Sequence, residues 1–312
     1  MSAYPQVAGP DTSTNPGLAQ LLQQLRARHN DSICATLLYG SCLRSGDLYD
    51  GLLDLYLICD SYRAAYNKPA LAGTNWMLPP NVFYAELELD GKTLHSKVTV
   101  ISLRDFRRGC SQAWFQSYIW GRFAQPTRII YSRDEATREA IEACLLQAAQ
   151  TLLRNSLPAL PQQGSVAALW EQALALSYST ELRTERSGRA QELTQYARDF
   201  YETLTRLHAP SLGFGFKVYD GDEVVSYQSS TSDTRRMMAR TAWFFRRGQG
   251  KLLSVMRLVK ALFTFEGGLD YIAWKLERHS GEKIVIPDRV RRAPLIYLWG
   301  FSWGLYRRGI FK

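Results

Sequence analysis

The feature that most constrains this chain is a Tyr-Gly-Ser turn between two strongly apolar segments. Residues 33–38 predict a buried strand that runs into this turn at residues 39–41, and residues 52–58 predict a second apolar strand. Twelve residues lie between the turn and the one carboxylate of the second strand, Asp54. An unpaired carboxylate in such a strand carries a large desolvation cost, which a metal ion, a solvent-facing strand end or an ion pair with Arg44 would offset.

The Gly-Ser turn has the chemistry of a phosphate-binding loop. Gly40 lets the backbone approach phosphate oxygens closely, and the Ser41 hydroxyl and neighbouring N–H groups can donate to them. Asp54 can ligate the Mg²⁺ that accompanies such phosphates. The alternative is a tight turn in which Ser41 satisfies its own loop. Taken together, turn and carboxylate favour a bound nucleoside triphosphate with Mg²⁺.

The basic charge is concentrated in the last quarter of the chain. The formal net charge is +9, whereas residues 231–312 alone hold 17 Lys and Arg against 6 Asp and Glu, a net of +11. This excess predicts an anionic partner surface, either nucleic acid or acidic lipid. The 312 residues, 46% of them apolar, suffice for one large globular domain or two ordinary ones.

Neither the cysteines nor the histidines form a metal-binding pattern. The five cysteines show no C-x-x-C spacing and mostly lie in apolar segments, so we expect buried, reduced thiols and a cytoplasmic compartment. The first 17 residues are polar and contain no arginine, which predicts a disordered lead-in and no signal or transit peptide. The uncharged, apolar run near the C-terminus, residues 293–306, is too short to cross a bilayer.

Hydrophobic periodicity predicts a mixed order of helices and strands. Helices are predicted over residues 17–28, 103–122, 136–154, 165–183 and 189–207, a loop or short helical region over 60–80, a hairpin over 81–89 and 97–101, a strand over 128–131, and a strand-like segment over 211–229. The prolines within residues 155–164 mark the best domain boundary. We therefore expect a lead-in (1–16), an α/β domain (17–155), a mostly helical domain (156–250) and a basic amphipathic segment (251–312).

The turn and the strand carboxylate resemble the nucleotide site of polymerase-β-type nucleotidyltransferases. That superfamily normally places Asp-x-Asp on the second strand, so that two carboxylates from one face bridge two metal ions. Here the second position is Tyr56, which leaves Asp54 as the single carboxylate of the motif.

Further segments resemble one family, the mitochondrial-type phosphatidate cytidylyltransferases, which are CDP-diacylglycerol synthases of the translocator assembly and maintenance protein family. This family has a Tyr-Gly-Ser turn followed by one Asp in a hydrophobic strand. Its Lys-Tyr-Gly-Val-Ile-Ser strand is similar to residues 97–102, its Trp-x-x-Leu-Tyr-x-x-Gly-Arg-Leu-x-Lys-Pro segment to residues 114–126, and its Leu-Ser-Tyr-x-Gly-Asp-x-Arg segment to residues 176–183. The resemblance covers roughly residues 17–280 and is that of a divergent, bacterial-type member, with Gln125 where Lys is usual and Glu181 where Asp is usual.

The resemblance implies a set of site residues. Asp54 and Lys97 are the catalytic candidates, Asp54 also being the metal ligand, and the candidates for binding substrate are Tyr39, Gly40, Ser41, Arg122, Ser177, Tyr178, Glu181 and Arg183. Lys97 would neutralise charge on the transferred phosphate, and the planar fork of Arg122 suits a bidentate phosphate contact. The alternatives are an ordinary solvated strand lysine, a helix-end arginine and, for Glu181 and Arg183, a solvated helix face.

The second metal ligand stays open at this stage. Its candidates are the substrate phosphates and the carboxylates of Asp47, Asp50, Asp60 and Glu86.

The C-terminal segment has a basic amphipathic pattern. Apolar residues alternate with Lys251, Arg257 and Lys260 at helical spacing, and Arg clusters bracket a later run rich in Leu, Trp and Phe. This arrangement is typical of a helix lying in the headgroup zone of an anionic membrane, and the clustered apolar residues disfavour nucleic acid. The alternative is a packed terminal helix with a basic rim.

The fold expected is α/β (α+β): a polymerase-β-type nucleotidyltransferase domain, a helical domain that is winged-helix-like in the family, and a membrane-docking tail. The resemblance implies a Mg²⁺-dependent reaction of CTP with phosphatidate that yields CDP-diacylglycerol and pyrophosphate. We expect a peripheral protein on the inner face of the cell membrane, or on the mitochondrial inner membrane in a eukaryote. The rivals are a nucleotidyltransferase acting on another phosphate or an RNA end, and a catalytically inactive membrane-binding homologue.

Overall fold

The computed structural model describes most of the chain outside both termini. The described residues are 4–5, 14–182, 188–221, 224–264 and 284–292, together with the single positions 277, 297, 300, 303, 304 and 307.

A five-stranded mixed sheet lies at the centre of the fold. Its strands are β1 (Ile33–Tyr39), β2 (Leu52–Cys59), β3 (Asn81–Leu89), β4 (Lys92–Ser102) and β5 (Thr127–Ser132), in the order β3-β4-β2-β1-β5. Strands β2 and β4 are parallel, and the other neighbours are antiparallel. The predicted α/β class and the strand pair around the Gly-Ser turn are confirmed, and β4 begins five residues earlier than predicted.

Helices cover both faces of this sheet and continue beyond it. They are α1 (Pro16–Arg28), α2 (Ser41–Ser45), α3 (Tyr62–Ala65), α4 (Pro69–Met77), α5 (Leu103–Cys110), α6 (Trp120–Phe123), α7 (Glu135–Ser156), α8 (Val166–Tyr178), α9 (Arg189–Tyr196), α10 (Arg198–Leu212), α11 (Asp233–Thr264) and α12 (Asp288–Arg292). A small second sheet has the order β6-β8-β7, with β6 (Gln163–Ser165), β7 (Lys217–Tyr219) and β8 (Ser226–Gln228).

Two of the predicted helices are interrupted. The single helix predicted over residues 103–122 is wrong, because Ser111 takes an extended conformation after α5 and the chain returns to helix only at α6. The hydroxyl of Ser111 accepts from the backbone N–H of Ala113 and donates to the carbonyl of Arg108, bonds that favour a turn over helix continuation. The helix predicted over residues 189–207 is divided at Ala197 (φ −114°, ψ 38°) and extends to Leu212.

The two faces of β2 belong to two different apolar clusters. Side chains alternate along a strand, so Leu53, Leu55 and Leu57 pack in one cluster with residues of α1 and α4. Tyr56 and Ile58 face the other way, into a cluster that includes residues of α7 and α8. Asp54 shares the face of Tyr56, at the end of β2 next to the Gly-Ser turn.

Buried apolar packing is continuous across the expected domain boundary. Leu152 and Leu153 lie before it, Val166 and Leu169 lie after it, and all four belong to one cluster. The division into domains and the winged-helix-like character of the second one therefore stay predictions. Within the expected lead-in, the described Tyr4 is buried and packs edge-on against Phe200, with 5.7 Å between the two ring centroids.

The expectation of buried, reduced cysteines is confirmed, since all five are free and buried. Within the described part of the chain, the helices are either too short or too polar to span a lipid bilayer.

Candidate functional site

Asp54 and Lys97 are cross-strand neighbours on one face of the sheet. The register of the parallel pair β2–β4 places Asp54 beside Lys97, and that of β1–β2 places Asp54 opposite Tyr39. The Lys97 Nζ lies 3.9 Å from the Asp54 Oδ1, with the two side chains 35% and 24% exposed. The carboxylate therefore has both a cation and partial solvent access, which offset its desolvation inside an apolar strand.

Gly40 is required where β1 ends because its Cα backs directly onto the Asp54 carboxylate. Its backbone has φ +90° and ψ −154°, a region that is essentially restricted to glycine. A Cβ added there would lie 2.5 Å from the Asp54 Oδ2. The turn is thus shaped around the carboxylate, and Ser41 follows it as an exposed residue that opens α2.

Arg44 is not the ion-pair partner of Asp54. Its guanidinium instead donates to the carbonyl of Gly40 at 3.3 Å, which ties α2 back onto the turn. The ion-pair alternative with Arg44 is therefore wrong for this structure, and Lys97 occupies the position facing the carboxylate.

Arg122 is held beside the turn by a carboxylate and two phenols. It donates to the Glu181 Oε1 at 3.0 Å and to the Tyr39 hydroxyl at 3.2 Å, and its guanidinium lies 4.6 Å from the centroid of the Tyr118 ring. Burial lowers the pKa of Arg122, but Tyr39, Tyr118 and the carboxylate together raise it well above its usual value. This side chain is a fixed cation.

Tyr118 is the centre of a cation cluster that the sequence interpretation did not include. The guanidinium of Arg257, from α11, lies over its ring at 4.0 Å from the centroid, so Arg122 and Arg257 both contact the same phenol. Burial raises the pKa of this phenol, whereas Arg122, Arg257 and Lys97 lower it, and the net result lies below the ordinary value. The i, i+4 spacing of Tyr118 and Arg122 was the available signal for the first pair.

Tyr56 occupies the place of the superfamily's second carboxylate as a packing residue. It is fully buried, with its ring 4.8 Å from that of Phe123 and 5.6 Å from that of Tyr39. Burial, and then the neighbouring Tyr118, raise the pKa of its phenol well above the usual value, so the group stays neutral. The site accordingly has one carboxylate on β2 and an aromatic wall behind it.

The remaining positions named by the resemblance are placed near α6 and the end of α8. Ser177 donates to the carbonyl of Leu174 at 3.0 Å and packs on Gly121, where an added Cβ would lie 2.7 Å from its Cβ. Gln125 turns back onto the carbonyl of Gly121 at 3.3 Å. These contacts are structural, and they join α6 to α8.

Tyr178 and Arg183 are not brought to the Arg122 cluster by any described contact. Tyr178 interacts electrostatically with Arg44 and Tyr201. Arg183 lies outside the described residues. The substrate-binding roles of both residues stay predictions.

The other carboxylates proposed as metal ligands are engaged elsewhere. Asp60 pairs with Arg133 at 2.7 Å beyond the opposite end of β2, and Glu86 accepts from the Tyr84 hydroxyl at 2.9 Å on β3. Asp47 accepts from the backbone N–H groups of Tyr49 and Asp50 in the loop before β2. Across the described residues, no three His, Cys, Asp or Glu side chains converge on a possible metal.

The donor set still fits Mg²⁺ carried by a substrate. Magnesium is commonly held by one or two carboxylates plus substrate phosphates and water, and does not need an all-protein cage. Asp54 is partly exposed, and the missing side chain of Gly40 lets the carboxylate lie directly against the turn. Asp54 is therefore the residue that would hold the ion.

Two cations in the first part of the basic segment, Arg257 and Lys260, face the protein. Arg257 donates to the carbonyl of Pro79 at 3.2 Å and to the Gln116 Oε1 at 2.7 Å, and Lys260 donates to the carbonyl of Pro80 at 2.7 Å. Burial, reinforced by Arg257, lowers the pKa of Lys260 to about 7. Both cations therefore contact the loop that precedes β3, whereas Lys251 of the same segment is exposed, and docking of this segment on lipid stays a prediction.

Comparisons with known proteins leave the family of the chain open. No protein-family model matches the sequence, and no curated protein matches it either. A solved structure of a nucleotidyltransferase-like protein from Exiguobacterium sibiricum aligns with 94% of this chain and 92% of its own chain, at 11% sequence identity and a TM-score of 0.27. A likeness this loose carries no argument, so function has to be argued from the site itself.

The site can bind an anion with several charges next to a single carboxylate. The phenol of Tyr118 interacts with three cations, Lys97, Arg122 and Arg257. Two carboxylates neutralise part of this charge, since Asp54 pairs with Lys97 and Glu181 pairs with Arg122. Because Lys97 and Arg122 each have a carboxylate partner, the arrangement is balanced except at Arg257.

Proposed function

We propose that this chain is a Mg²⁺-dependent nucleotidyltransferase that transfers the cytidylyl group of CTP to phosphatidate, forming CDP-diacylglycerol and pyrophosphate. The observation that carries the proposal is the packing of Gly40 against the Asp54 carboxylate, with Lys97 3.9 Å from that carboxylate on the neighbouring strand. A Gly-Ser turn whose glycine is required both by its backbone conformation and by the carboxylate behind it is the geometry expected of a metal–triphosphate site. The choice of CTP and phosphatidate rests on the sequence resemblance.

The side chains divide the binding of the triphosphate between them. Gly40 admits a phosphate oxygen close to the backbone, Ser41 offers an exposed hydroxyl donor, and Lys97 supplies a compact positive charge beside Asp54. Arg122, fixed by Tyr39 and Glu181, presents its guanidinium to phosphate oxygens on the other side of the turn. Tyr39 and Glu181 are thus positioning residues for Arg122, while Ser177, Tyr178 and Arg183 remain candidates for contacts with the nucleotide.

In the proposed reaction, an oxygen of the phosphatidate phosphomonoester forms a bond to the α-phosphorus of CTP. The bond from that phosphorus to the oxygen bridging it to the β-phosphate breaks, and pyrophosphate leaves with the electron pair. The attacking oxygen is already anionic near neutral pH, so no protein base has to remove a proton. This agrees with a site that has several cations and one carboxylate on β2.

Bound Mg²⁺ would supply charge neutralisation on the triphosphate and on the departing pyrophosphate. Lys97 and Arg122 would add to this stabilisation, since preorganised cations are most effective where negative charge develops in a partly enclosed site. Asp54 holds its carboxylate in place through the strand register with Tyr39 and Lys97.

We also propose that the outer face of α11 docks on an anionic membrane. Large apolar side chains lie exposed along one side of this helix: Met237 (67%), Phe244 (67%), Phe245 (60%), Leu252 (62%) and Val259 (51%). The exposed cations Arg247 and Lys251 flank them. An exposed apolar stripe with a basic edge is the pattern of a helix that lies in the headgroup region, and it would keep the protein peripheral on an inner membrane face.

The tip of α4 extends this apolar surface. Trp76 and Met77 are each 74% exposed, and the three residues after them accept hydrogen bonds from the inward-facing cations of α11. A tryptophan at the edge of an apolar patch suits the membrane interface. The proposal of membrane docking rests on α11 and α4 alone, because residues 265–276 and most of the chain beyond 292 lie outside the described part.

The test is product analysis with CTP labelled on the α-phosphate, using the full-length chain, Mg²⁺ and a panel of acceptors. Phosphatidate vesicles, glycerol 3-phosphate and an RNA with a terminal phosphate would be compared under identical conditions. We expect label to enter only the lipid fraction, as CDP-diacylglycerol, together with pyrophosphate. Label in the RNA or the polar acceptor, with none in lipid, would contradict phosphatidate as substrate.

A second candidate is an inactive homologue that retained the fold. Tyr56 favours it, because a buried aromatic residue stands where the superfamily's second metal-binding carboxylate normally lies. Mg²⁺-dependent CTP binding without transfer to any acceptor in the panel would select this candidate.

A further inference from the structure

Arg257 differs from the other two cations around Tyr118 in having no carboxylate partner among the described residues. Its contacts are the carbonyl of Pro79, the amide oxygen of Gln116 and the face of the Tyr118 ring. Lys97 faces Asp54, and Arg122 is paired with Glu181. One positive charge of the cluster is therefore left without a compensating anion.

This charge is held in place at an energetic cost. A partly buried guanidinium with only neutral partners keeps a desolvation penalty that an ion pair would offset, and a second guanidinium on the same phenol adds repulsion. Burial lowers the pKa of Arg257 below its ordinary value, and Arg122 adds to this, although the phenols of Tyr118 and Tyr56 and the carboxylate of Glu181 act in the opposite direction. An anion bound between the two arginines would remove both unfavourable contributions.

A groove of about 930 Å³ runs past the carboxyl ends of β2 and β4, and Arg257 is connected to it through two lining residues, Gln116 and Pro79, to which it donates hydrogen bonds. Gln116, which is bonded to Arg257, lines this groove, and so does Leu253, one turn earlier on α11. Trp114, Trp76 and Met77 give it an apolar wall. A cavity of this size, with a charged group at one end, is typical of a site for an amphipathic small molecule.

Arginines stand along the opposite rim of the groove. Arg104 and Arg108, one turn apart on α5, both line it and are exposed. With Arg63 they outnumber the two carboxylates of the lining, Asp60 and Asp105, so the groove carries a small positive excess that favours an anionic ligand.

We infer that Arg257, supported by Gln116, binds the phosphomonoester of the acceptor, with the apolar tail of that acceptor lying in the groove along Leu253 and Trp114. This inference rests on the proposed function and goes beyond it, since it separates an acceptor subsite from the nucleotide subsite at Gly40, Asp54 and Lys97. The assignment to the acceptor follows from position. Arg257 lies on the helix that carries the exposed apolar face, and its partner Gln116 belongs to the groove, whereas neither touches the Gly-Ser turn.

The test is the binding of dihexanoyl phosphatidate, below its critical micelle concentration, to the full-length protein without CTP. Isothermal titration calorimetry would compare the natural chain with Arg257→Met, Arg257→Lys and the matched control Arg240→Met, an exposed arginine of the same helix. We expect Arg257→Met to weaken binding by about 10- to 100-fold, Arg257→Lys to weaken it less, and Arg240→Met to stay within about 2-fold of the natural chain. Circular dichroism melting would verify that each variant is folded.

A second arm titrates the same proteins with Mg²⁺ and CTP. We expect CTP affinity to change by less than about 3-fold in Arg257→Met, and Asp54→Asn to lose CTP binding while retaining the lipid. Unchanged lipid binding in Arg257→Met would overturn the inference, as would an equal loss of CTP affinity, which would assign Arg257 to the triphosphate. A natural chain that binds Mg²⁺-CTP but not the short-chain lipid would overturn the acceptor subsite alone, whereas one that binds neither would overturn the proposed function as well.

Discussion

Strand β2 and helix α11 depart from the hydrophobic-inside rule in opposite directions. In β2, a carboxylate interrupts a strand whose other side chains are almost all buried apolar groups. In α11, one arginine is buried while large apolar groups face outward: Arg246 is 7% exposed, whereas Phe244 and Phe245 on the same turn are 67% and 60% exposed. A polar group placed inside and an apolar group placed outside each cost stability, so each marks a surface that has something to bind.

The two regions differ in whether the protein itself supplies an interaction partner for the unusually placed side chains. Asp54 has an internal partner in Lys97 and a backbone shaped to it at Gly40. Arg246 likewise has internal acceptors, the carbonyl of Phe115 at 2.9 Å and the Asn155 Oδ1 at 2.7 Å, although burial lowers its pKa to about 10. The exposed apolar side chains of α11 are not covered by other described parts of the protein. The strand therefore indicates a ligand that enters a formed site, and the helix indicates an external surface.

Replacing Asp54 by Asn should give the largest effect, on nucleotide binding and turnover, and should leave the stability of the fold almost unchanged. The substitution keeps the shape of the side chain but removes the charge that would hold Mg²⁺, so we expect turnover with CTP to fall by about 10³-fold, which is about 4 kcal/mol of barrier. The thermal midpoint should stay within about 2 °C, since a partly desolvated charge is removed along with its ion pair. Steady-state kinetics and calorimetry on the same preparation measure both. A stability loss large enough to explain the inactivity would make Asp54 a structural residue.

Replacing Phe244 and Phe245 together by Ser should affect α11 in the complementary way. Both rings are exposed, so the fold loses little, but membrane partitioning should weaken by about 100-fold, or about 3 kcal/mol, as two apolar side chains no longer insert. Sedimentation with vesicles containing anionic lipid measures the effect, and Mg²⁺-CTP binding serves as the internal control. Undiminished sedimentation would show that this face of α11 is not the docking surface.

Substituting two glycines in the turn region distinguishes the cost of backbone strain from the cost of contact with the carboxylate. Gly40 and Gly46 both have positive φ, but an added Cβ meets Asp54 at Gly40 and nothing within 4 Å at Gly46. Gly40→Ala should therefore destabilise the protein by about 2.5 kcal/mol and abolish nucleotide binding, while Gly46→Ala should cost about 1 kcal/mol and leave binding intact. Urea denaturation and CTP titration distinguish the two. Equal effects would mean that the close approach of Gly40 to Asp54 is incidental.

Acid should destabilise the helical half independently of the site. Burial of His208 in α10 lowers its pKa to about 4, so between pH 6.5 and pH 4 the unfolded chain binds a proton that the folded chain does not. Stability conferred by the neutral imidazole is complete above pH 6.5 and falls as the pH decreases towards 4, by about 3 kcal/mol. Urea denaturation at several pH values should show this slope, and His208→Gln should flatten it without changing CTP affinity at pH 7. A slope that persists in His208→Gln would have to arise from other groups.

The strand pair and its turn were predictable from sequence because their signals are local. Apolar runs of strand length and a Gly-Ser turn specify β1 and β2, and the spacing to Asp54 then places the carboxylate beside the turn. Lys97 was named from the family resemblance of one short segment, residues 97–102. None of these inferences needed information about distant segments.

The cluster around Tyr118 was not predictable in the same way. Its members come from β4, α6, the loop before α6 and α11, and only the tertiary fold brings Arg257 against a phenol 139 positions earlier in the chain. The periodicity of α11 revealed two faces but not which one is inward, because a basic face can be buried when carbonyl and amide oxygens accept its hydrogen bonds. The interruption at Ser111 was likewise decided by side-chain hydrogen bonds and not by propensity.

Calorimetric titration of CTP into the full-length protein, with and without Mg²⁺, tests the central claim most directly. We predict saturable binding at one site that requires Mg²⁺ and is lost in Asp54→Asn. Leu55→Ser, which alters a buried neighbour on the same strand, is the folding control: the fraction of this variant that is folded should still bind CTP. Binding that is absent in the natural chain, or equally tight in EDTA and in Asp54→Asn, would contradict a metal–triphosphate site at this turn.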